Sequence, residues 1–135
     1  ITVRHPLDHG PSQLRDSPNS LTVVSDRYTS STVAYQGHGR GLDLDLVHQL
    51  NAAATKGLTP RLTVLLDLLP EQVQARRINP ALDAFESAPL DFHRRVRESY
   101  VAQACQNPKD WLVLDGSQPA RGLSTQIWDK IRPLL

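Results

Sequence analysis

A chain of 135 residues, 39% hydrophobic and 21% charged, has the size and composition of one globular domain, which excludes disordered, collagen-like and disulfide-scaffold classes. Fifteen Lys and Arg against fourteen Asp and Glu leave a formal net charge of +1. That balance gives no bulk pull toward nucleic acid or an anionic membrane, so phosphate binding must be local.

The elements follow in chain order. Residues 1–20 are broken by His5-Pro6, Gly10-Pro11 and Ser17-Pro18-Asn19-Ser20, and are expected to be an irregular segment ahead of a domain spanning 21–135. Leu21-Thr22-Val23-Val24, Leu62-Thr63-Val64-Leu65-Leu66 and Trp111-Leu112-Val113-Leu114 are short apolar runs with β-branched residues, expected to be strands buried on both faces. Between the first two, Asp43 can cap a helix that places Leu44, Val47, Leu50 and Ala54 on one face and ends near Gly57. Pro70 suits the first turn of a helix running through Val73 to Arg76-Arg77, stopped by Asn79-Pro80.

Pro89 opens the longest helix, with Leu90, His93, Val96, Tyr100 and Ala104 on one stripe, and Asn107-Pro108 closes it. Arg94, Arg95 and Arg97 read as its solvated face. A last helix from about Leu123 to Leu134 offers Ile127, Ile131 and Leu134. Strands alternating with helices predict an α/β fold, a parallel sheet with helices on both faces. Cys105 is the single cysteine, so no internal disulfide can form and a reducing compartment suits the chain. With no apolar run near the roughly 18 residues of a membrane span and no basic-then-apolar leader, the sequence reads as soluble and cytoplasmic. It contains no methionine and begins at Ile1, the pattern expected of a processed, trimmed or partial chain.

In open parallel sheets, ligands bind beyond the carboxyl ends of the strands. Three segments lie there: Ser25 to Gly41, Asp67, and Asp115-Gly116-Ser117. Asp26-Arg27 offers a carboxylate able to hold a hydrated magnesium ion beside a guanidinium able to grip phosphate with paired donors. The alternative for an isolated Asp-Arg dipeptide is a plain surface ion pair. Tyr28, Ser31, Thr32 and Tyr35 suit a flat base and a sugar hydroxyl.

The longer pattern goes further. Ser25-Asp26-Arg27-Tyr28, Ser30-Ser31, Ala34-Tyr35-Gln36-Gly37 and Gly39-Arg40-Gly41-Leu42 resemble bacterial thymidylate kinase, and further matches keep their order. These are Leu50-Asn51, Gly57-Leu58, Leu66-Asp67, Phe85-Glu86, Leu90-Asp91-Phe92-His93 with Arg95-Val96-Arg97, and Leu114-Asp115 with Ser117. The resemblance implies a P-loop nucleoside monophosphate kinase-like fold, N-terminally truncated, and transfer of the γ-phosphoryl group of ATP to thymidine monophosphate (dTMP), a step of dTTP biosynthesis.

By position, the resemblance assigns Arg27 to the nucleotide phosphates and Asp26 to the water shell of magnesium. It places Tyr28 beside the thymidine, Thr32 with Ser31 at the thymine edge, Tyr35 and Gln36 near the deoxyribose, and Ser117 against adenine. Arg76 and Arg77 fall where the family has its lid, as catalytic arginines over the ATP phosphates; the other reading is an exposed helix end, where the dipole favours cations. The family's Asp-Arg-aromatic-Glu signature appears here as Asp83-Ala84-Phe85-Glu86, which lacks the arginine. The resemblance also implies a homodimer.

The phosphate-cradling pattern Gly-x-x-x-x-Gly-Lys-Ser/Thr does not occur: Gly10 is the one glycine before Tyr28, and no lysine precedes Lys56. The chain alone is therefore expected to be inactive and to leave apolar strand surface uncovered. The alternative is a non-catalytic nucleotide-binding or interaction remnant of the family. His5 and His9 lack a third metal ligand, and Cys105 has no evident partner base.

Overall fold

The computed structural model describes residues 2–4, 22–75 and 88–135. Arg76, Arg77, the Asp83-Ala84-Phe85-Glu86 run, His5 and His9 lie outside the described residues, and so does most of the segment expected to be irregular.

Each apolar run forms a strand, and one further strand joins them. β1 is Thr2–Arg4, β2 Val23–Ser25, β3 Leu62–Asp67 and β4 Trp111–Asp115. The sheet order is β2-β1-β3-β4. β3 and β4 are parallel, in register from Thr63 opposite Trp111 to Asp67 opposite Asp115. β1 is antiparallel to both neighbours, with Val3 opposite Val24 on one side and Leu62 on the other. Three residues of the stretch expected to be irregular thus sit inside the sheet.

A parallel pair needs a long crossover, supplied here by two helices, α3 (Pro70–Ala75) and α4 (Leu90–Gln106). After β4, helix α5 (Ala120–Ile131) packs on one sheet face. Leu62, Val64, Leu114 and Leu123 form the buried core there, with Leu112, Ile127, Ile131 and Leu134 around it. Asp67, whose side chain alternates to the other face, is met there by α4. Helices therefore flank both faces, as the alternation of elements predicted.

Burial of the strands is less complete than their composition suggested. Val24 is 61% exposed, Leu66 46% and Val113 47%, so these strands are not covered on both faces.

Between β2 and β3 the chain is helical in a way the sequence pattern did not show. α1 (Thr29–Thr32) runs straight into a π-helix, Val33–Gly39, closed by the Arg40 amide donating to the Tyr35 carbonyl at 3.0 Å. π-Helical turns are rare and concentrate at functional sites. α2 (Leu44–Thr55) follows, with the Asp43 carboxylate accepting from the Leu46 amide at 2.9 Å as the N-cap. Lys56 and Gly57, both at positive φ, end it. Its expected apolar face is corrected: Val47 is buried, but Leu44, Leu50 and Ala54 are exposed. Among the described residues, no helix is long and apolar enough to cross a membrane.

Candidate functional site

The carboxyl end of β2 delivers Asp26 and Arg27 to the surface. Arg27 sits at φ +62°, in the left-handed region that a side chain rarely adopts. Strain of that kind persists where neighbouring structure holds it and gathers at ligand sites. What holds the side chain is visible: the Arg27 guanidinium carbon lies 5.0 Å from the centroid of the Tyr35 ring. A cation over an aromatic face is stabilised by about 0.5–1 kcal/mol at an exposed site.

Two further side chains continue that stack inward. Tyr35 meets Phe92 of α4 edge-on, ring centroids 5.9 Å apart at 66°. The Phe92 ring presses against Gly39, where a Cβ would come within 2.7 Å of Phe92 Cε2 and 3.1 Å of Val96 Cγ2. Arg95 Nη2 donates to the Gly39 carbonyl at 2.9 Å and locks the same contact. Only a glycine lets α4 seat this deeply on the π-helix.

On the next turn of α4, the Tyr100 hydroxyl donates to Ser31 Oγ at 2.7 Å. Burial raises the Tyr100 pKa above its usual 10.0, partly offset by that hydrogen bond, and the charges of Arg27 and Asp26 reach the same hydroxyl. Arg27, Ser31 and Tyr35 are thus brought together on one wall, with Asp26 adjoining. Gln103 Nε2 donates to the Ser30 carbonyl at 3.3 Å and Asn51 Nδ2 to the Thr29 carbonyl at 3.2 Å, which fixes α1 from both sides.

The other expected site residues are placed as follows. The Tyr28 hydroxyl donates to the Leu58 carbonyl at 3.2 Å, toward the loop between α2 and β3. Thr32 ends α1 and Gln36 lies within the π-helix, both half-buried. Ser117 is in the turn after β4, its amide donating to Asp115 Oδ1 at 2.8 Å. That turn is drawn to the end of β3 by the Gly116 amide donating to the Asp67 carbonyl at 2.7 Å.

Arg94 and Arg95 of α4 are exposed, as sequence reasoning expected, but the ion pairs that the α4 arginines make were not foreseen. Arg97 binds both oxygens of Asp67 at 2.6 and 2.7 Å, and Arg94 joins Glu71 of α3 at 2.7 Å and Asp91 at 2.9 Å. The Asp67 hydrogen bond raises the Arg97 pKa. A hydrogen bond from its own backbone, then one from Arg94, lowers the Glu71 pKa. The missed signal was the spacing: Arg94, Arg97 and Tyr100 recur every third residue, one face of a helix pointing at the strand ends.

Asp67 and Arg97 line a cleft of about 260 Å³ at the carboxyl ends of β3 and β4, with Gln72 and Asp115. A larger cavity of about 390 Å³ lies at the opposite ends of these strands, lined by hydroxyls and amides such as Thr55, Asn51 and Gln103. Neither cavity is lined by Asp26, Arg27, Tyr28, Ser31, Thr32, Tyr35, Gln36 or Ser117.

No group of three or more His, Cys, Asp or Glu able to enclose a metal ion occurs among the described residues. Magnesium keeps most of its water and needs one or two carboxylates besides phosphate. Exposed Asp26 fits that limited role.

Comparisons with known proteins identify the family. The family model for thymidylate kinase matches residues 13–127. A thymidylate kinase of Deinococcus radiodurans is 51% identical over 110 residues, covering 79% of this chain and 52% of its own length. One from Solidesulfovibrio magneticus is 44% identical over 121 residues, covering 84% and 58%. The crystal structure of thymidylate kinase from Ehrlichia chaffeensis, 29% identical, covers 66% of this chain and 39% of its own with a TM-score of 0.48.

The fold class is that of the P-loop nucleoside monophosphate kinases, with helices flanking a sheet. Within that class, the chain belongs to the thymidylate kinase family. It spans about half the length of the relatives it matches.

Proposed function

We propose that this chain carries the phosphoryl-acceptor portion of a thymidylate kinase, an enzyme that moves the γ-phosphoryl group of ATP to dTMP. The observation that supports it most is Arg27, held at a strand end over Tyr35 beside the Tyr100–Ser31 hydrogen bond.

In this reading the Arg27 guanidinium grips the monophosphate with paired donors and neutralises charge as the phosphoryl group moves. Ser31, oriented by Tyr100, and Thr32 meet the thymine edge. Tyr35 and Gln36 line the deoxyribose, and Tyr28 flanks the nucleoside. Asp26 would hold a water of a bound magnesium ion, which would supply charge screening to the phosphate oxygens. Ser117 lies against adenine of ATP, and Arg76 and Arg77 serve the ATP phosphates. The protein works in the cytoplasm as a homodimer.

The sequence contains no Gly-x-x-x-x-Gly-Lys-Ser/Thr cradle for the ATP phosphates. The 135 residues alone therefore bind the acceptor but turn over slowly or not at all. Incubating the purified chain with ATP, magnesium and dTMP tests this: dTDP should stay below one equivalent per chain, and multiple turnovers would contradict it.

A further inference from the structure

Arg27 reaches Tyr35, and Tyr35 is itself held by one residue that has no place in the acceptor site. Phe92 sits on α4, beyond the π-helix, and meets Tyr35 edge-on at 5.9 Å. Its ring also packs directly on Gly39, where a Cβ would come within 2.7 Å of it, and Arg95 pins the Gly39 carbonyl at 2.9 Å.

We propose that Phe92 is a positioning residue for phosphate recognition: by fixing the Tyr35 ring, it keeps the Arg27 guanidinium aimed where a nucleotide phosphate arrives. The inference rests on the acceptor reading above. An arginine side chain loses considerable rotamer freedom when it grips a ligand, and a site that has already restricted it binds more tightly. Tyr35 supplies that restriction through its face. Phe92 supplies it to Tyr35, whose ring would otherwise turn about its own side-chain torsions.

Only ligands bearing phosphate use the Arg27 end of the chain of contacts. Loss of Phe92 should therefore separate dTMP from thymidine. A purely structural role would weaken both alike.

The test uses calorimetric titration of dTMP and thymidine into the 135-residue chain and its Phe92→Leu and Phe92→Met variants. Met keeps most of the volume in case Leu unfolds the site. Both variants should lose about two- to five-fold in dTMP affinity, the equivalent of the cation–aromatic contact. Thymidine affinity, which draws on Tyr35 only at the deoxyribose, should fall by clearly less than dTMP affinity. In a Tyr35→Leu background, changing Phe92 should no longer separate the two ligands.

A dTMP preference over thymidine that is undiminished in the variants overturns the inference alone. Equal wild-type affinity for the two ligands overturns the acceptor reading and the phosphate role with it. NMR of the ligand-free wild type adds a check independent of ligand and of variant folding. Ring-current-shifted Arg27 side-chain protons and a Phe92–Tyr35 proton contact are expected, and their absence also contradicts the proposal.

Discussion

Arg97 grips Asp67 with two nearly parallel hydrogen bonds, Nε to Oδ1 at 2.6 Å and Nη2 to Oδ2 at 2.7 Å, and so ties α4 to the carboxyl end of β3. Both side chains are partly exposed, so solvent screens the pair. Removing one partner still leaves the other partly desolvated. Asp67→Ala should lower unfolding stability by about 1–2 kcal/mol, read as a shifted urea midpoint. Arg97→Lys should recover little, because an ammonium cannot reproduce the fork. A wild-type midpoint in both variants would show that the pair contributes nothing.

Three glycines should rank by what a methyl group meets. Gly39→Ala drives Cβ into the Phe92 ring and Val96 and should cost about 1–3 kcal/mol as overpacking. Gly41→Ala has open space but a φ of +74°, and should cost about 1 kcal/mol in backbone strain. Gly37→Ala meets the end of the exposed Leu44 side chain, which can swing away, and should be the mildest. Thermal or urea unfolding of the three variants checks the order.

Two groups set opposite pH limits. Glu71 has a folded pKa below its usual 4.5, so the stability it supplies is present above 4.5 and is lost as pH falls through the lowered value. Glu71→Gln should flatten the acid limb of the stability curve. Tyr100 has a folded pKa above 10.0, so above pH 10 the unfolded chain loses this proton while the folded chain retains it. Stability should fall there, and Tyr100→Phe should remove that part of the alkaline loss. Unchanged melting profiles in the two variants would contradict these assignments.

Self-association should run through α2, whose Leu46 and Leu50 stand 51% and 60% exposed beside Leu42 at 53%. Exposed apolar side chains grouped in this way mark a contact face. Leu46→Glu with Leu50→Glu should convert the dimer to monomer in sedimentation velocity without lowering the melting temperature. A wild-type monomer at high micromolar concentration would count against it.

The strands β3 and β4, the capped start of α2 and the extent of α4 were legible because they are written in local pattern. An apolar run, Asp43 before a leucine-rich segment, and prolines at both ends of α4 suffice. The π-helix was not, since Val33 to Gly39 has no periodicity that separates it from a loop. It is held by contacts more than 50 residues away, from Phe92 and Arg95. Arg97 looked solvated for the same reason: its partner Asp67 is 30 residues distant, and only the crossover brings them together. The α2 stripe failed in the opposite sense, because periodicity reports an apolar face and not what covers it. Of the site, Arg27 and Ser31 were visible as chemistry, but Tyr100, which holds Ser31, was visible only as helix stripe, and Phe92, which meets Tyr35, only within the Leu90-Asp91-Phe92-His93 run.

In the proposed acceptor reading, Arg27 makes this chain a receptor for a nucleoside monophosphate. Calorimetric titration of the wild type and Arg27→Ala with dTMP and with thymidine tests it most directly. The wild type should bind dTMP at least about tenfold more tightly, as expected for a charge-assisted phosphate contact near 1.5–3 kcal/mol. Arg27→Ala should bring the two ligands level. Equal wild-type affinities, or a dTMP preference undiminished in Arg27→Ala, would contradict it.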